Sequence, residues 1–161
     1  MYKVLCYAVC SLGVGFAPKA SGTFGSLVTL PMAFGLAYYW GFWGLLAGAT
    51  AVFFIGTIAT KEVLKYTKHD PSLVIIDEVA GQLVTFLPLG WFLLGNASAW
   101  WVYGLGFVLF RAFDIFKIGP VKWADEKLGN EWGVMLDDVF AGIFAAAVLF
   151  AVWFAVGLAV T

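Results

Sequence analysis

Three long stretches without a charged residue constrain the fold of this chain more than any other feature. They span residues 20–60, 79–110 and 139–161. The apolar core of a bilayer takes roughly 20 helical residues, so the first stretch is long enough for two spans and the last for one. Of the 161 residues, 63% are hydrophobic and 12% charged, which is too apolar for a soluble domain of this size. The chain is therefore predicted to be an all-α, polytopic membrane protein.

Turn signals inside the first two stretches predict that each forms a hairpin. They lie at residues 40–44 and at residues 95–98, and the second stretch is short enough to require short or tilted helices. We expect four to five membrane-embedded helices in one domain covering residues 1–161. Because a hairpin returns the chain to the side it left, the charged segments 61–78 and 111–138 share one face, which the positive-inside rule makes cytoplasmic. The formal net charge of −1 argues against a nucleic-acid partner.

Two pairs of adjacent acids at this face are the strongest functional signal. Each pair leads into a charge-free segment and has a glycine one helical turn after one of its acids, which gives Asp77, Glu78 and Gly81 in the first case and Asp137, Asp138 and Gly142 in the second. Buried carboxylates are costly unless they are paired or bind a cation. A glycine on the same helix face admits another backbone or a phosphate. Such hard oxygen ligands suit Mg²⁺, although the acids of the first pair also fit a helix N terminus stabilised by the macrodipole.

Two further segments carry groups suited to phosphate. Arg111, Asp114 and Lys117 follow at i, i+3 and i+6, so they either form surface ion pairs or present one carboxylate to a metal and two cations to a phosphate. The segment 22–26 is rich in small residues, and Thr23, Gly25 and Ser26 either line a phosphate nest before a helix or form an ordinary turn.

The remaining polar residues have weaker signals. His69, the single histidine, is either a general acid or base or a loop residue without a catalytic role. Four other charges, at Asp125, Glu126, Lys127 and Glu131, are interpreted as ordinary loop charge.

In order, these segments closely resemble the phosphatidylglycerophosphatase A family, from about Gly13 to Gly142. Four ordered motifs carry the resemblance: Gly22-Thr23-Phe24-Gly25-Ser26-Leu27, His69-Asp70 to Asp77-Glu78, Phe110-Arg111 to Asp114 and Lys117, and Gly133-Val134-Met135 to Asp137-Asp138 and Ala141-Gly142. The chain departs from the family at Lys117-Ile118-Gly119-Pro120, where a proline is expected directly after the lysine. This departure leaves the backbone path at Lys117 open.

The resemblance implies Mg²⁺-dependent removal of the terminal phosphate of phosphatidylglycerophosphate, a phospholipid of the bacterial inner membrane, at a site facing the cytoplasm. Ligands for one or two Mg²⁺ are then expected from five carboxylates, Asp77, Glu78, Asp114, Asp137 and Asp138. Arg111, Lys117 and the segment 23–26 are expected to hold phosphate oxygens. Attack by water and an aspartyl-phosphate intermediate both remain open, as does the oligomeric state.

Other functions are compatible with acids at a membrane face. A cation transporter would also place carboxylates along its path, but such groups are expected at mid-membrane rather than at one face. A phosphatidyltransferase that acts on phospholipid head groups needs its aspartates in one continuous run, whereas here they are divided over about 60 residues.

Overall fold

The computed structural model describes residues 2–11, 21–66 and 73–160. All regular structure in these ranges is helical and comprises α1 (Tyr2–Ser11), α2 (Ser21–Val63), α3 (Ile76–Phe86), α4 (Gly90–Leu93), α5 (Trp100–Phe116), α6 (Pro120–Trp123) and α7 (Glu131–Val160). Short 3₁₀ turns cover Leu87–Leu89 and Ala97–Ala99, and a π-helical turn covers Ala124–Leu128. In the described part of the chain, three helices are long and apolar enough to cross a membrane, Gly22–Val63, Ala97–Phe116 and Glu131–Val156. The predicted all-α membrane class is confirmed.

The first charge-free stretch forms the predicted hairpin, with its turn at Gly41. This residue has φ 58° and ψ −137°, a conformation that is essentially restricted to glycine. A Cβ atom at Gly44 would lie 2.7 Å from the carbonyl oxygen of Leu36, whereas eight residues of straight helix separate such positions by about 12 Å. The halves 21–40 and 42–63 of α2 therefore fold back on each other.

The second hairpin turns at the same end of the molecule. The N–H of Gly95 donates to the carbonyl oxygen of Tyr38 at 2.9 Å, and the ring of Phe42 stacks on Trp91 with centroids 5.5 Å apart. Asn96 precedes the 3₁₀ turn before α5, and its side chain accepts from the N–H of Ser98. Both predicted turns are thus adjacent.

The number of spans differs slightly from the predicted four to five. Among the described residues, three helices reach spanning length. One of them, α2, is folded back on itself at Gly41, and α3 ends after 11 residues, just before Pro88. At the opposite end from the turns, Lys61 forms an ion pair with Glu131 at 3.6 Å. This end, which holds the charged segments, is called the charged face below.

Helices α3 and α7 cross with their backbones in direct contact. A Cβ atom at Gly81 would collide with the carbonyl oxygen of Asp138, and one at Gly142 would collide with the carbonyl oxygen of Gly81. The acid-and-glycine spacing thus admits a second backbone, one of the two outcomes predicted for it. The contact fixes the acids that lie one turn away on each helix.

Candidate active site

Three carboxylates from α3 and α7 converge at the charged face. One oxygen each from Asp77, Glu78 and Asp138 lies within 4.8 Å of the other two. Asp77 and Asp138 are buried, with 8% and 3% of their surface exposed. In the part of the chain that the structure describes, this is the one group of three or more candidate metal-ligating side chains.

The first acid of each pair is held by the same local hydrogen bond. Oδ1 of Asp77 accepts from the N–H of Glu78, and Oδ1 of Asp137 accepts from the N–H of Asp138, both at 2.9 Å. In each pair, this bond orients the first carboxylate against its own helix backbone. The two pairs therefore resemble each other in local geometry as well as in sequence.

Arg111 lies beside the three carboxylates, on the last part of α5. Its Nη1 is 2.6 Å from Oδ2 of Asp114 and 3.8 Å from Oε1 of Glu78. The side chain is largely buried, with 17% exposed. Asp114 is thus paired with Arg111 in the structure, and the guanidinium links α5 to α3.

Lys117 follows the last residue of α5 and has a left-handed backbone conformation, at φ 43° and ψ 61°. Its Nζ is 2.7 Å from Oδ1 of Asp125 and 3.1 Å from Oδ2 of Asp137. Burial alone would lower the pKa of Lys117, but the hydrogen bonds and charges of these two carboxylates outweigh it and raise the pKa above its ordinary value. The ammonium is therefore a fixed positive charge.

These side chains surround an open cavity of about 300 Å³. Its lining consists of Val74, Asp77, Glu78, Asp114, Ile115, Lys117, Asp125, Val134, Asp137 and Asp138. The carboxylates that were predicted as ligands on three separate segments thus share one cavity. Within it they divide into three sets: the group of three, Asp114 with Arg111, and Asp137 with Lys117.

The segment 23–26 is not the loop that was predicted, because α2 begins at Ser21 and includes it. Thr23 is exposed, whereas Ser26 is buried and donates its hydroxyl to the carbonyl oxygen of Gly22 at 2.9 Å. A Cβ atom at Gly22 would collide with Oε1 of Glu78, and one at Gly25 would lie 3.3 Å from Oε2. The N terminus of α2 therefore contacts the site through its glycines, while the hydroxyl of Ser26 is bonded within the helix.

Two further sequence interpretations have different outcomes. His69 lies outside the described residues, so its catalytic role stays a prediction. The interpretation of Asp125 as loop charge is corrected, because this residue lies on the π-helical turn, lines the cavity and pairs with Lys117. The sequence did contain a signal for this turn. Gly119 and Gly129 lie on either side of it, and both adopt a positive φ, which glycine favours.

The fold and the site define a helical membrane protein with an acidic cavity at one face, lined by the fixed cation of Lys117 and with Arg111 paired to two of its carboxylates. The chain belongs to the phosphatidylglycerophosphatase A family, whose family model matches residues 7–153. The protein is accordingly a phosphatase.

Similar proteins come from several bacteria. The chain is 29% identical to phosphatidylglycerophosphatase A of Escherichia coli K12, over 86% of this chain and 77% of that protein. It is 33% identical to phosphatidylglycerophosphatase A of Haemophilus influenzae, over 87% and 83% of the two chains. It is also 35% identical to a putative phosphatidylinositol-3-phosphatase of Bacteroides thetaiotaomicron, over 83% of each chain. No solved structure matches the chain significantly.

Proposed function

We propose that the protein hydrolyses the terminal phosphate of phosphatidylglycerophosphate in a Mg²⁺-dependent reaction. The products are phosphatidylglycerol and inorganic phosphate, and the site faces the cytoplasm from a bacterial inner membrane. The observation that carries the proposal is the convergence of Asp77, Glu78 and Asp138 beside Arg111, in a cavity at the charged face. A phosphomonoester on a lipid head group lies at this depth of a membrane.

The three carboxylates fit a Mg²⁺ ion. Adjacent buried carboxylates repel one another and lose hydration, so they need a cation to remain ionised. Their oxygens lie within 4.8 Å of one another, close to the roughly 4 Å across an octahedral Mg²⁺ site, and oxygen is the ligand that this ion prefers. When bound there, Mg²⁺ would neutralise phosphate charge and lower the pKa of a bound water.

The cations of the cavity would hold the phosphate. Arg111 is kept in place by Asp114, and its Nη1 lies 3.8 Å from Oε1 of Glu78, a member of the group of three. Lys117 lines the cavity and is held by Asp125 and Asp137. Together the two cations would bind and orient a phosphate beside the three carboxylates.

This geometry favours one metal position over two. The other two predicted ligands form ion pairs in the structure, Asp114 with Arg111 and Asp137 with Lys117. Their carboxylates serve better as partners that fix Arg111 and Lys117 than as ligands of a second ion. Metal content measured on the purified protein tests this, and two tightly bound ions per chain would contradict it.

The activity is tested by measuring phosphate release from phosphatidylglycerophosphate in detergent, with Mg²⁺ or with a chelator. Substitution of Asp77→Asn or Asp138→Asn is expected to reduce the rate at least a hundredfold, since each removes one charged ligand from a buried cation. Glu126→Gln is the matched control, because Glu126 is exposed and outside the cavity lining. Activity near that of the wild type in both well-folded ligand variants would contradict the proposed site.

A second candidate substrate is suggested by the relative from Bacteroides thetaiotaomicron, which is named a putative phosphatidylinositol-3-phosphatase. The same assay with phosphatidylinositol 3-phosphate decides between the two head groups. We expect the glycerol-linked monoester to be preferred, because the family model and two of the relatives carry that name. A higher kcat/KM for the inositol lipid would reverse the assignment.

A further inference from the structure

The contact between Lys117 and Asp125 brings together two residues from separate elements at the edge of the cavity. Lys117 lies at the C terminus of α5, and Asp125 lies on the π-helical turn Ala124–Leu128. Their side chains are 29% and 31% exposed, so the pair is at the cavity opening rather than in its buried interior. The contact of 2.7 Å is shorter than the 3.1 Å contact of the same ammonium with Asp137.

The backbone at Lys117 is held in an unfavourable conformation. It has a positive φ of 43°, and it is the one residue other than glycine with a positive φ in the described ranges. A left-handed backbone is unfavourable for a residue other than glycine. π-helical turns are also rare in proteins, and many of those that occur lie at functional sites. Two unfavourable local conformations thus meet at one ion pair.

The arrangement of charges gives each of the two acids a different effect on Lys117. Asp137 is 7% exposed and belongs to the acidic pair on α7, so it attracts the ammonium inward. Asp125 attracts it from the opening. With both present, the ammonium is shared and stays between the buried acids and the entrance.

We propose that Asp125 is a positioning residue that holds Lys117 at the cavity opening, where the ammonium donates a hydrogen bond to an oxygen of the substrate phosphate. This inference rests on the proposed phosphatase function and deepens it. Without Asp125, the remaining partner of Lys117 is Asp137, and the ammonium would be drawn away from the incoming phosphate.

A positioning role for Asp125 and simple electrostatics predict opposite effects of its removal on phosphate affinity. Removing a carboxylate from a cavity that binds an anion should strengthen anion binding, since like charges repel. A positioning role requires the reverse, because the loss of one charge-assisted hydrogen bond from Lys117 outweighs that gain. We expect phosphate to bind about tenfold more weakly.

A purely structural role for the pair is the competing explanation. The contact joins the end of α5 to the π-helical turn, so its loss would loosen this connection. That effect would lower stability and kcat without a specific change in phosphate affinity. The neighbouring exposed pair of Lys122 and Glu126, 3.6 Å apart, provides a matched control on the same turn.

The test measures binding of inorganic phosphate by calorimetry, in detergent and with saturating Mg²⁺, for the wild type, Asp125→Asn, Asp125→Glu and Glu126→Gln. We expect weaker binding in Asp125→Asn, partial recovery in Asp125→Glu and wild-type binding in Glu126→Gln. For the lipid substrate, Asp125→Asn should raise KM about tenfold and change kcat less than twofold.

Unchanged or tighter phosphate binding in Asp125→Asn would overturn the proposal, as would a wild-type protein that does not bind phosphate. A fall in kcat with unchanged KM would also overturn it, in favour of the structural explanation. If phosphate binds as expected but no phosphatidylglycerophosphate is hydrolysed, the inference about Asp125 stands and the proposed substrate fails.

Discussion

Replacing Gly81 with alanine tests whether the contact between α3 and α7 sets the geometry of the site. The new Cβ would lie 2.6 Å from Cε2 of Phe110 and 2.8 Å from the carbonyl carbon of Asp138, whereas ordinary contact begins at 3.4 Å. The carbonyl carbon of Asp138 alone therefore requires α3 and α7 to separate locally by about 0.6 Å, and its oxygen, which lies closer still, requires a larger separation. Since Asp77 lies one turn before Gly81 on the same face, the shift would widen its distance to Asp138.

The expected effect is larger on activity than on stability. Overpacking of this kind costs about 1–3 kcal/mol, of which alanine's higher helix propensity recovers up to about 1 kcal/mol. Misplacing catalytic groups by about 1 Å can reduce a rate about a hundredfold, so a shift of this order should reduce kcat about tenfold to a hundredfold. The Mg²⁺ concentration for half-maximal activity should rise as well.

The assay is Mg²⁺-dependent phosphate release, with thermal unfolding in detergent to confirm folding. Gly104→Ala is the matched control, because Gly104 lies within α5 and a Cβ there has no neighbour within 4 Å. This control should be fully active and slightly more stable. If Gly81→Ala kept wild-type activity and wild-type Mg²⁺ dependence, the backbone contact would not determine the ligand geometry.

Three other outcomes follow from the structure. Arg111→Lys should lower kcat/KM at least tenfold in the phosphate-release assay, because lysine cannot contact Asp114 and Glu78 with a rigid planar group. Equal activity would contradict the proposed role of Arg111 in holding the phosphate. Gly41→Ala should lower the unfolding temperature by a few degrees, since positive φ costs alanine about 1–3 kcal/mol, while the rate per folded molecule stays unchanged; a loss of activity without destabilisation would refute this. Mg²⁺ should raise the unfolding temperature of the wild type but not of Asp138→Asn, as expected for a ligand that binds only the folded state; equal shifts in both would argue against this metal position.

The architecture was largely predictable because lipid imposes a simple rule on sequence. Backbone groups in the membrane must form helices, and charges are excluded from its interior, so charge-free stretches mark membrane-embedded helices and glycines within them mark turns. Gly41 and the segment 95–98 were recognised in this way. The clustering of acids at one face followed from the two hairpins alone.

Side-chain partners within the site were less predictable because they depend on how separate segments pack. Periodicity placed Arg111, Asp114 and Lys117 on one helix face, but α5 ends before Lys117, whose left-handed backbone directs it to Asp125. The segment 23–26 looked like a loop because it is rich in glycine and hydroxyl residues. It is helical in the structure, since Gly22 and Gly25 let α2 pack directly against α3.

The close helix contact and the buried acids depend on each other. Carboxylates as crowded as Asp77, Glu78 and Asp138 would favour separation of their helices when no cation is bound, because each loses hydration and repels the others. The contact through Gly81 and Gly142 opposes this by bringing backbone to backbone, where no side chain can yield. Because the fold already holds the carboxylates close together, a cation that binds here does not have to bring its ligands together. Such preorganisation strengthens binding. For the proposed Mg²⁺ site, the two glycines are therefore expected to contribute to metal affinity without touching the metal.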